Sequence, residues 1–283
     1  MSLWRRAIIG NHGSALRKAG ALVLSRTNFT AWASLHTAQR LKVDLSSSVG
    51  RSIWFRGNYE PEVESVMRRI LRPGDAFIDV GSNVGYFSIV GAKMVGPQGG
   101  VHAFEPSQKI CGYLRESIAA NSLKNTFANA IALWSQPKTL NFAVQKNSGF
   151  SYVVPIHPGL EGMSPDLVPA NTLDRYIDSD LKHPVRLVKI DVEGAECHVL
   201  AGMAATLEVH SPVLVVEVVD WLLSRFDNRV EDIFALLSSH DYQAYDLLGN
   251  RVDGAAEAQE RLLNASVRNL LFAKASSGAA AWR

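Results

Sequence analysis

Short apolar runs alternate with segments of helical periodicity from Asn58 onward, and this alternation limits the possible folds more than any other feature of the chain. The predicted strands are residues 76–80, 101–104, 127–133, 185–190, 213–219, 242–247 and 267–273. The predicted helices are residues 61–71, 86–95, 109–121, 172–177, 195–207 and 230–237. Because right-handed crossovers between such strands leave few other arrangements, we expect an α/β fold with a mostly parallel sheet and helices on both faces. The last two strands have no evident helix between them, which predicts an antiparallel pair at one edge.

The 283 residues divide into three predicted parts. Residues 1–57 form a basic N-terminal arm that we expect to be a helical cap, and residues 58–275 form the main domain. An insertion near 138–170 is expected to be a hairpin or loop. Residues 276–283, which are rich in Ala, Ser and Gly, are expected to fray.

The arm is basic because residues 1–42 contain seven Lys or Arg and no Asp or Glu. Such a segment is also typical of an organellar transit peptide or of an amphipathic helix on anionic lipid, so weak peripheral membrane contact through residues 1–42 stays open. The rest of the chain lacks a basic stripe, which argues against a nucleic-acid partner. The sequence carries no signal for an oligomeric state.

Composition excludes several other classes. No apolar run approaches the roughly 20 residues that span a bilayer. The two cysteines, Cys111 and Cys197, show no pairing or zinc-binding pattern, so we expect a reducing, cytoplasmic environment and no cysteine metal site.

The strongest local signal is the turn after the first predicted strand, which reads Asp79-Val80-Gly81-Ser82-Asn83-Val84-Gly85. A strand that enters a glycine-spaced turn and then a helix brings bare backbone to a ligand at the carboxyl end of the sheet. Asp79 can accept hydrogen bonds from turn amides or from a ligand ammonium, and Asn83 can donate or accept.

The turn is not a dinucleotide fingerprint, because the third glycine that seats a pyrophosphate is missing. Glu105 follows the second strand, where an acidic side chain can accept both hydroxyls of a ribose; a solvated loop glutamate is the alternative. A nucleoside that carries an amino acid and no pyrophosphate suits this set, and S-adenosylmethionine is the natural candidate.

A second cluster of polar residues follows the fourth and fifth strands. Asp191 and Glu193 lie at the end of the fourth strand and Glu217 lies late in the fifth, so the three carboxylates are expected to converge near the turn. An acid in a buried strand needs a partner, and a structural role with Lys189 or Arg186 is the alternative to a functional one.

With these motifs in view, the chain resembles the FkbM family of S-adenosylmethionine-dependent methyltransferases. The resemblance runs from Tyr59 to Ala273. It rests on the motifs Tyr59-Glu60, Ile78 to Gly85, Phe104-Glu105-Pro106, Thr172-Leu173-Asp174, Lys189 to Glu196, and Pro212 to Val218. It implies a class I methyltransferase fold with seven strands, the last antiparallel, and methylation of hydroxyl groups on sugars, glycolipids or secondary metabolites.

The resemblance also assigns residues by position. Asp79, Gly81, Asn83 and Gly85 would hold the methionine end of the cofactor, and Glu105 would hold the ribose.

Transfer to an alcohol needs in-line alignment with the sulfonium methyl and a general base. The candidate catalytic residues are Asp191, Glu193 and Glu217, with Asp191 first. The same carboxylates could instead bind Mg2+, although nothing in the sequence supports a metal. A nicotinamide-dependent oxidoreductase and a non-catalytic cofactor-binding scaffold are the competing hypotheses.

Overall fold

The computed structural model describes residues 29–144, 151–153, 166–181, 183–263, 265 and 267–274. The predicted tail at 276–283 and the first 28 residues of the arm lie outside them. The strands are β1 (Thr30–Ser34), β2 (Arg40–Asp44), β3 (Ala76–Val80), β4 (Gly100–Phe104), β5 (Thr126–Asn129), β6 (Ala132–Leu133), β7 (Lys138–Val144), β8 (Ser151–Val153), β9 (Asp166–Asn171), β10 (Val185–Ile190), β11 (Val213–Glu217), β12 (Tyr242–Tyr245), β13 (Arg251–Val252) and β14 (Asn269–Lys274). The helices are α1 (Ser48–Arg56), α2 (Pro61–Ile70), α3 (Tyr86–Val95), α4 (Gln108–Ala120), α5 (Leu173–Asp180), α6 (Glu196–Ala201), α7 (Ala204–Val209), α8 (Asp220–Leu223), α9 (Val230–Ser238) and α10 (Ala255–Leu262).

The central sheet has the strand order β13-β12-β14-β11-β10-β3-β4-β5. Neighbours from β11 to β5 are parallel, whereas β14 runs antiparallel to both β11 and β12. The prediction of a mostly parallel sheet with an antiparallel last strand is therefore confirmed. The two-residue strand β13 adds an eighth member at the edge, which was not predicted because two residues are too few to show an alternating pattern.

Apolar side chains cover both faces of this sheet, because successive strand residues point to opposite sides. Phe77 and Leu187 face one core, which the arm and helices α1 to α4 complete. Ile78 and Val188 face the other core, which is closed by helices that include α5, α6, α7, α9 and α10. Within the described part of the chain, none of the helices is long and apolar enough to cross a membrane.

The described part of the arm, residues 29–57, differs from the predicted helical cap. Residues 30–44 form an antiparallel hairpin of β1 and β2, and within this part only α1 is helical. The side chains of α4 satisfy the free edge of β2: Ser117 Oγ accepts from the Lys42 amide at 2.9 Å, and Asn121 pairs with the Arg40 backbone at 2.9 and 2.6 Å. The helical prediction fails there because this tertiary pairing outweighs local propensity.

The described parts of the insertion, β7, β8 and β9, form a second sheet with β6, in the order β6-β9-β7-β8. The predicted strand 127–133 is therefore divided between β5 of the central sheet and β6 of this second sheet. Strand β7 pairs antiparallel with both β8 and β9, and β6 runs parallel to β9. A hairpin was predicted in this region, and β7 with β8 supplies one. The pairing of β9 joins sequence-distant strands, which periodicity cannot reveal.

Helix α10, between β12 and β14, was missed. It contributes Ala258 and Leu262 to the core, and its other side chains are largely polar. Two inward-facing residues in eight produce a weak helical pattern, so the sequence predicts no helix between the last two strands.

A buried carboxylate in α2 ties the hairpin to the rest of the domain. Glu64 accepts from the Tyr86 hydroxyl at 2.6 Å and from Arg68, and His36 Nε2 lies 3.0 Å from it. Burial alone would raise the pKa of Glu64, but the hydrogen bonds from Tyr86 and Arg68 outweigh burial and lower it. The ionised form is thus the one that the fold stabilises.

We expect Glu64→Gln to lower the free energy of unfolding by about 1–3 kcal/mol at pH 7, because it removes the charge from a buried hydrogen-bond network. Since the pKa in the folded state lies below 4.5, the contribution of the carboxylate is present above that pH and is lost as the pH falls through the folded pKa. Urea unfolding at pH 7 and pH 3.5 checks this. The control is Glu62→Gln, which changes an exposed residue on the same helix. If the free energy of unfolding of Glu64→Gln differed from that of the unaltered protein by the same amount at both pH values, the expectation would be contradicted.

Candidate functional site

The carboxyl ends of four neighbouring strands lie level with one another. Val80 pairs in register with Phe104 of β4 and with Ile190 of β10, and Ile190 pairs with Val216 of β11. The residues that follow these partners are therefore neighbours along one edge of the sheet. They are Gly81, Glu105, Asp191 and Glu217, all of which line one cavity.

Gly81 has a structural reason to be glycine. Its φ is +78°, and an added Cβ would lie 1.8 Å from the carbonyl oxygen of Asp191. The amides of Gly81 and Ser82 both donate to the Phe104 carbonyl at 3.0 Å, so the turn is held between β4 and β10. Asn83, also left-handed with φ +50°, lines the cavity and donates its amide to Glu105 at 3.1 Å.

Two of the predicted cofactor residues lie beneath the cavity and are not among its described lining residues. Asp79 is fully buried, and its Oδ2 accepts from Ser88. Gly85 has φ +87°, and a Cβ there would lie 2.3 Å from Leu114 Cδ1. The charge of Lys189 acts on Asp79, whose buried Oδ1 has no hydrogen-bond partner among the described residues, and Gly85 allows α3 and α4 to pack closely. The direct cofactor contact of these two residues stays a prediction.

Glu105 is 4% exposed and reaches the cavity wall. Its carboxylate accepts from the Asn83 amide at 3.1 Å and from the Ser107 amide at 2.9 Å, one bond to each oxygen. Burial raises its pKa to about 7, although these two amides oppose the shift. Each oxygen keeps a second lone pair, so the side chain can still accept hydrogen bonds from a ligand.

Lys189 is a buried cation in the middle of the site. It is 2% exposed, and its ammonium lies 2.7 Å from Asp191 Oδ2 and 4.9 Å from the centre of the Phe87 ring. Burial by itself would lower its pKa, but Asp191, Glu60 and Asp79 outweigh burial and raise it. Lys189 therefore stays charged and offsets the carboxylates around it.

The other two predicted catalytic carboxylates face the same cavity. Burial and then the charge of Asp191 raise the pKa of Glu193 to about 8. Burial and the charges of Asp191, Glu196 and Glu193 raise the pKa of Glu217 well above its usual value. Glu217 Oε2 is buried and has no hydrogen-bond partner in the part of the chain that the structure describes.

The structure thus brings Asp191, Glu193 and Glu217 together as expected. Arg186 is exposed, and Lys189 pairs with Asp191 while its charge also acts to lower the pKa of Glu217. Glu196 has a different role: its Oε1 accepts from the amides of Val192 and Gly194 at 3.1 and 3.2 Å, which closes the turn before α6.

Two residues of the site, Tyr59 and Glu60, were given no role from the sequence. Both line the cavity, although they precede the first predicted helix. Their spacing alone does not link them to residues more than 100 positions later, but Tyr59-Glu60 is one of the motifs on which the family resemblance rests, and that motif was the signal available for them. Lys189 carried a better signal, because a single lysine in the apolar run 185–190 is a buried charge that needs partners.

The cavity encloses about 1000 Å3 between its lining atoms, part of it open to solvent. Apolar side chains from the arm and the insertion, namely Val49, Phe142 and Val153, form part of the wall. Among the described residues, no group of three or more His, Cys, Asp or Glu side chains is arranged to hold a metal ion.

The strand order and the position of this cavity are those of the class I methyltransferase fold. Residues 79–244 match the model of the methyltransferase FkbM domain, and the chain belongs to that family. No curated protein matches the sequence.

The chain also matches solved structures, including the following two. The methyltransferase FkbM of Methylobacillus flagellatus is 14% identical, with a TM-score of 0.43 over 78% of this chain and 52% of that protein. This chain thus spans about half the length of that relative. The TYW2 protein of M. jannaschii, whose structure contains AdoMet, is 14% identical, with a TM-score of 0.45 over 88% of each chain.

We expect Gly81→Ala to destabilise the protein by at least ~1–2 kcal/mol from its left-handed backbone alone, with a further cost from the collision with Asp191. Gly112→Ala is the matched control. It lies within α4 with nothing within 4 Å of the added Cβ, so it should be neutral or stabilise by up to ~1 kcal/mol. Urea unfolding of both variants tests this, and equal stability of Gly81→Ala and the unaltered protein would contradict the packing argument.

Proposed function

We propose that the protein transfers a methyl group from S-adenosylmethionine to a hydroxyl oxygen of a sugar, glycolipid or secondary metabolite. One observation supports this proposal: the Gly81 turn and Glu105 line the same cavity as the acidic side chains, at one edge of the sheet. When bound, S-adenosylmethionine supplies an electrophilic methyl group on a positively charged sulfur. The residues of this chain would bind, orient and shield the reactants.

The cofactor fits the polar groups of the cavity. Glu105 would accept from the ribose hydroxyls with its remaining lone pairs. Gly81 and Ser82 line the cavity, where a ligand can approach their backbone closely. The buried Ser82 Oγ has no hydrogen-bond partner among the described residues, so it can form a hydrogen bond with a ligand group. The surplus of carboxylates over Lys189 favours a cationic ligand.

The acceptor chemistry follows from the charge and shape of the remaining wall. The ionised form of Asp191, Glu193 or Glu217 would repel a phosphate or carboxylate acceptor, whereas a neutral alcohol meets no such repulsion. The apolar contribution of Phe142 and Val153 suits the carbon face of a sugar or a secondary metabolite. An alcohol is a weak nucleophile until its proton is removed, which calls for a base.

Glu217 is the best candidate for that base. Asp191 ranks lower than the sequence suggested, because its carboxylate is already paired with Lys189 at 2.7 Å. Glu217 Oε2 has no described partner and can accept the hydroxyl proton directly. A cationic ligand in the cavity would lower the raised pKa of Glu217, so that the base ionises when the site is loaded.

Calorimetric titration with S-adenosylhomocysteine tests the cofactor proposal. We expect saturable binding to the purified full chain and none with NADH as a control. Glu105→Ala should weaken binding by about 1–3 kcal/mol, because a buried charged acceptor is lost. The exposed Glu231 on α9, changed to Ala, should leave the affinity unchanged. NADH binding without S-adenosylhomocysteine binding would favour an oxidoreductase instead.

Radiolabelled methyl transfer to a panel of sugars, glycolipids and hydroxylated small molecules tests the base. We expect Glu217→Gln to reduce kcat by roughly 10²–10⁴-fold, the usual contribution of a general base, while the affinity for S-adenosylhomocysteine stays within a few-fold. Asp191→Asn provides the comparison. Full turnover of Glu217→Gln would exclude Glu217 as the base.

A further inference from the structure

Glu60 lies at the junction between the arm and the main domain, in a backbone conformation that is costly for its side chain. Its φ and ψ are +40° and +68°, and Pro61 follows at the first position of α2. A left-handed conformation costs a non-glycine residue about 1–2 kcal/mol. Residues kept in such conformations cluster at ligand-binding and catalytic sites.

Glu60 lines the cavity, and its buried Oε2 has no hydrogen-bond partner among the residues described. Burial raises its pKa to about 7, although the charge of Lys189 opposes the shift. A buried acceptor of this kind favours a charged donor over water, because charge-assisted hydrogen bonds are the strong ones.

Contacts of its neighbours place Glu60 on the side of the cavity that holds the turn. The Tyr59 ring lies 6.2 Å from the rings of both Tyr86 and Phe87, the first two residues of α3. The charges nearest to the Glu60 carboxylate are Lys189 of β10 and Asp191, which touches Gly81. Glu217, in contrast, ends β11, on the far side of β10 from the turn.

We propose that Glu60 Oε2 binds the α-ammonium group of the methionine moiety of S-adenosylmethionine, an inference that rests on the proposed function. The hydrogen-bond donors of that cofactor are the ribose hydroxyls, the adenine amino group and the ammonium. Glu105 suits the ribose at the end of β4. The ammonium is the donor that carries a positive charge, and it belongs to the end of the cofactor expected over the Gly81 turn.

The test compares two ligands and two proteins by calorimetry. The ligands are S-adenosylhomocysteine and its analogue that lacks the α-amino group, and the proteins are the full chain and Glu60→Gln. We expect Glu60→Gln to weaken S-adenosylhomocysteine binding by about 10- to 100-fold, as for loss of a hydrogen bond to a charged group. The unaltered protein should bind the analogue about as weakly as Glu60→Gln binds S-adenosylhomocysteine. The substitution Glu60→Gln should weaken binding of the analogue only slightly further.

The pH dependence distinguishes this contact from a structural role. The groups that face Glu60 are Tyr59, Glu62, Lys189 and Asp191. Because a bound ammonium stabilises the ionised carboxylate, binding should release protons near pH 7 and strengthen as the pH rises from 6 to 8. Other carboxylates of the cavity titrate in this range. The proton release and pH dependence of affinity that are due to Glu60 are therefore obtained by subtracting the values for Glu60→Gln from those for the unaltered protein.

Glu231→Gln, which removes an exposed charge of α9 away from the cavity, is the control and should bind S-adenosylhomocysteine normally. Equal affinities of the unaltered protein and Glu60→Gln, or of the two ligands for the unaltered protein, would overturn the inference and leave the proposed function intact. The ligand comparison needs no variant, so it remains decisive if Glu60→Gln does not fold. An unaltered protein that binds no S-adenosylhomocysteine would instead overturn the proposed function, and this inference with it.

Discussion

The buried ammonium of Lys189 stabilises the ionised carboxylates that lie at the carboxyl edge of the sheet. Glu60, Asp79 and Asp191 surround it from three different segments of the chain, and isolated carboxylates at that depth would be forced to take up protons. The positive charge keeps Asp191 in an ion pair at 2.7 Å. Burial, and then the charges of neighbouring carboxylates, raise the pKa values of Glu193 and Glu217, and the charge of Lys189 does not offset these effects. The site therefore has a surplus of carboxylates, which suits a cationic ligand and a neutral acceptor.

The register of the parallel strands places these charged groups next to one another. Because Val80, Phe104, Ile190 and Val216 align across four strands, the residue after each one meets the others along a single edge. The contact between Gly81 and the Asp191 carbonyl leaves no space for a side chain, so the turn and the carboxylate cluster cannot move independently. In the proposed function, the turn, Glu60 and Glu105 hold the cofactor, and Glu217 on the next strand serves the acceptor. The arm and the insertion contribute the apolar wall above this edge.

Local patterns were sufficient where a residue's role depends on its own strand or turn. The glycine-spaced turn, Glu105 after β4, and the carboxylates after β10 and β11 all follow from strand ends that periodicity identifies, and the structure brings them to one cavity. Asp79 shows the boundary of this reasoning. The sequence places it at the end of a strand, but it lies beneath the cavity, because the last residues of a twisted, covered strand point to either face. Glu60 shows the opposite case, since no local pattern connects it to Lys189.

By itself, the sequence determined the α/β class, the order of most strands and helices, the family, and which strand ends carry polar groups. These properties depend on periodicities and motifs within about ten residues, where the chain's own geometry is decisive. Only the tertiary structure decided that residues 30–44 form a hairpin, that α10 follows β13, that Lys189 pairs with Asp191, and that Glu60 shares a cavity with Glu217. Each of these depends on packing between distant segments. Contacts of that kind override local propensity, and their partners cannot be identified from residue spacing.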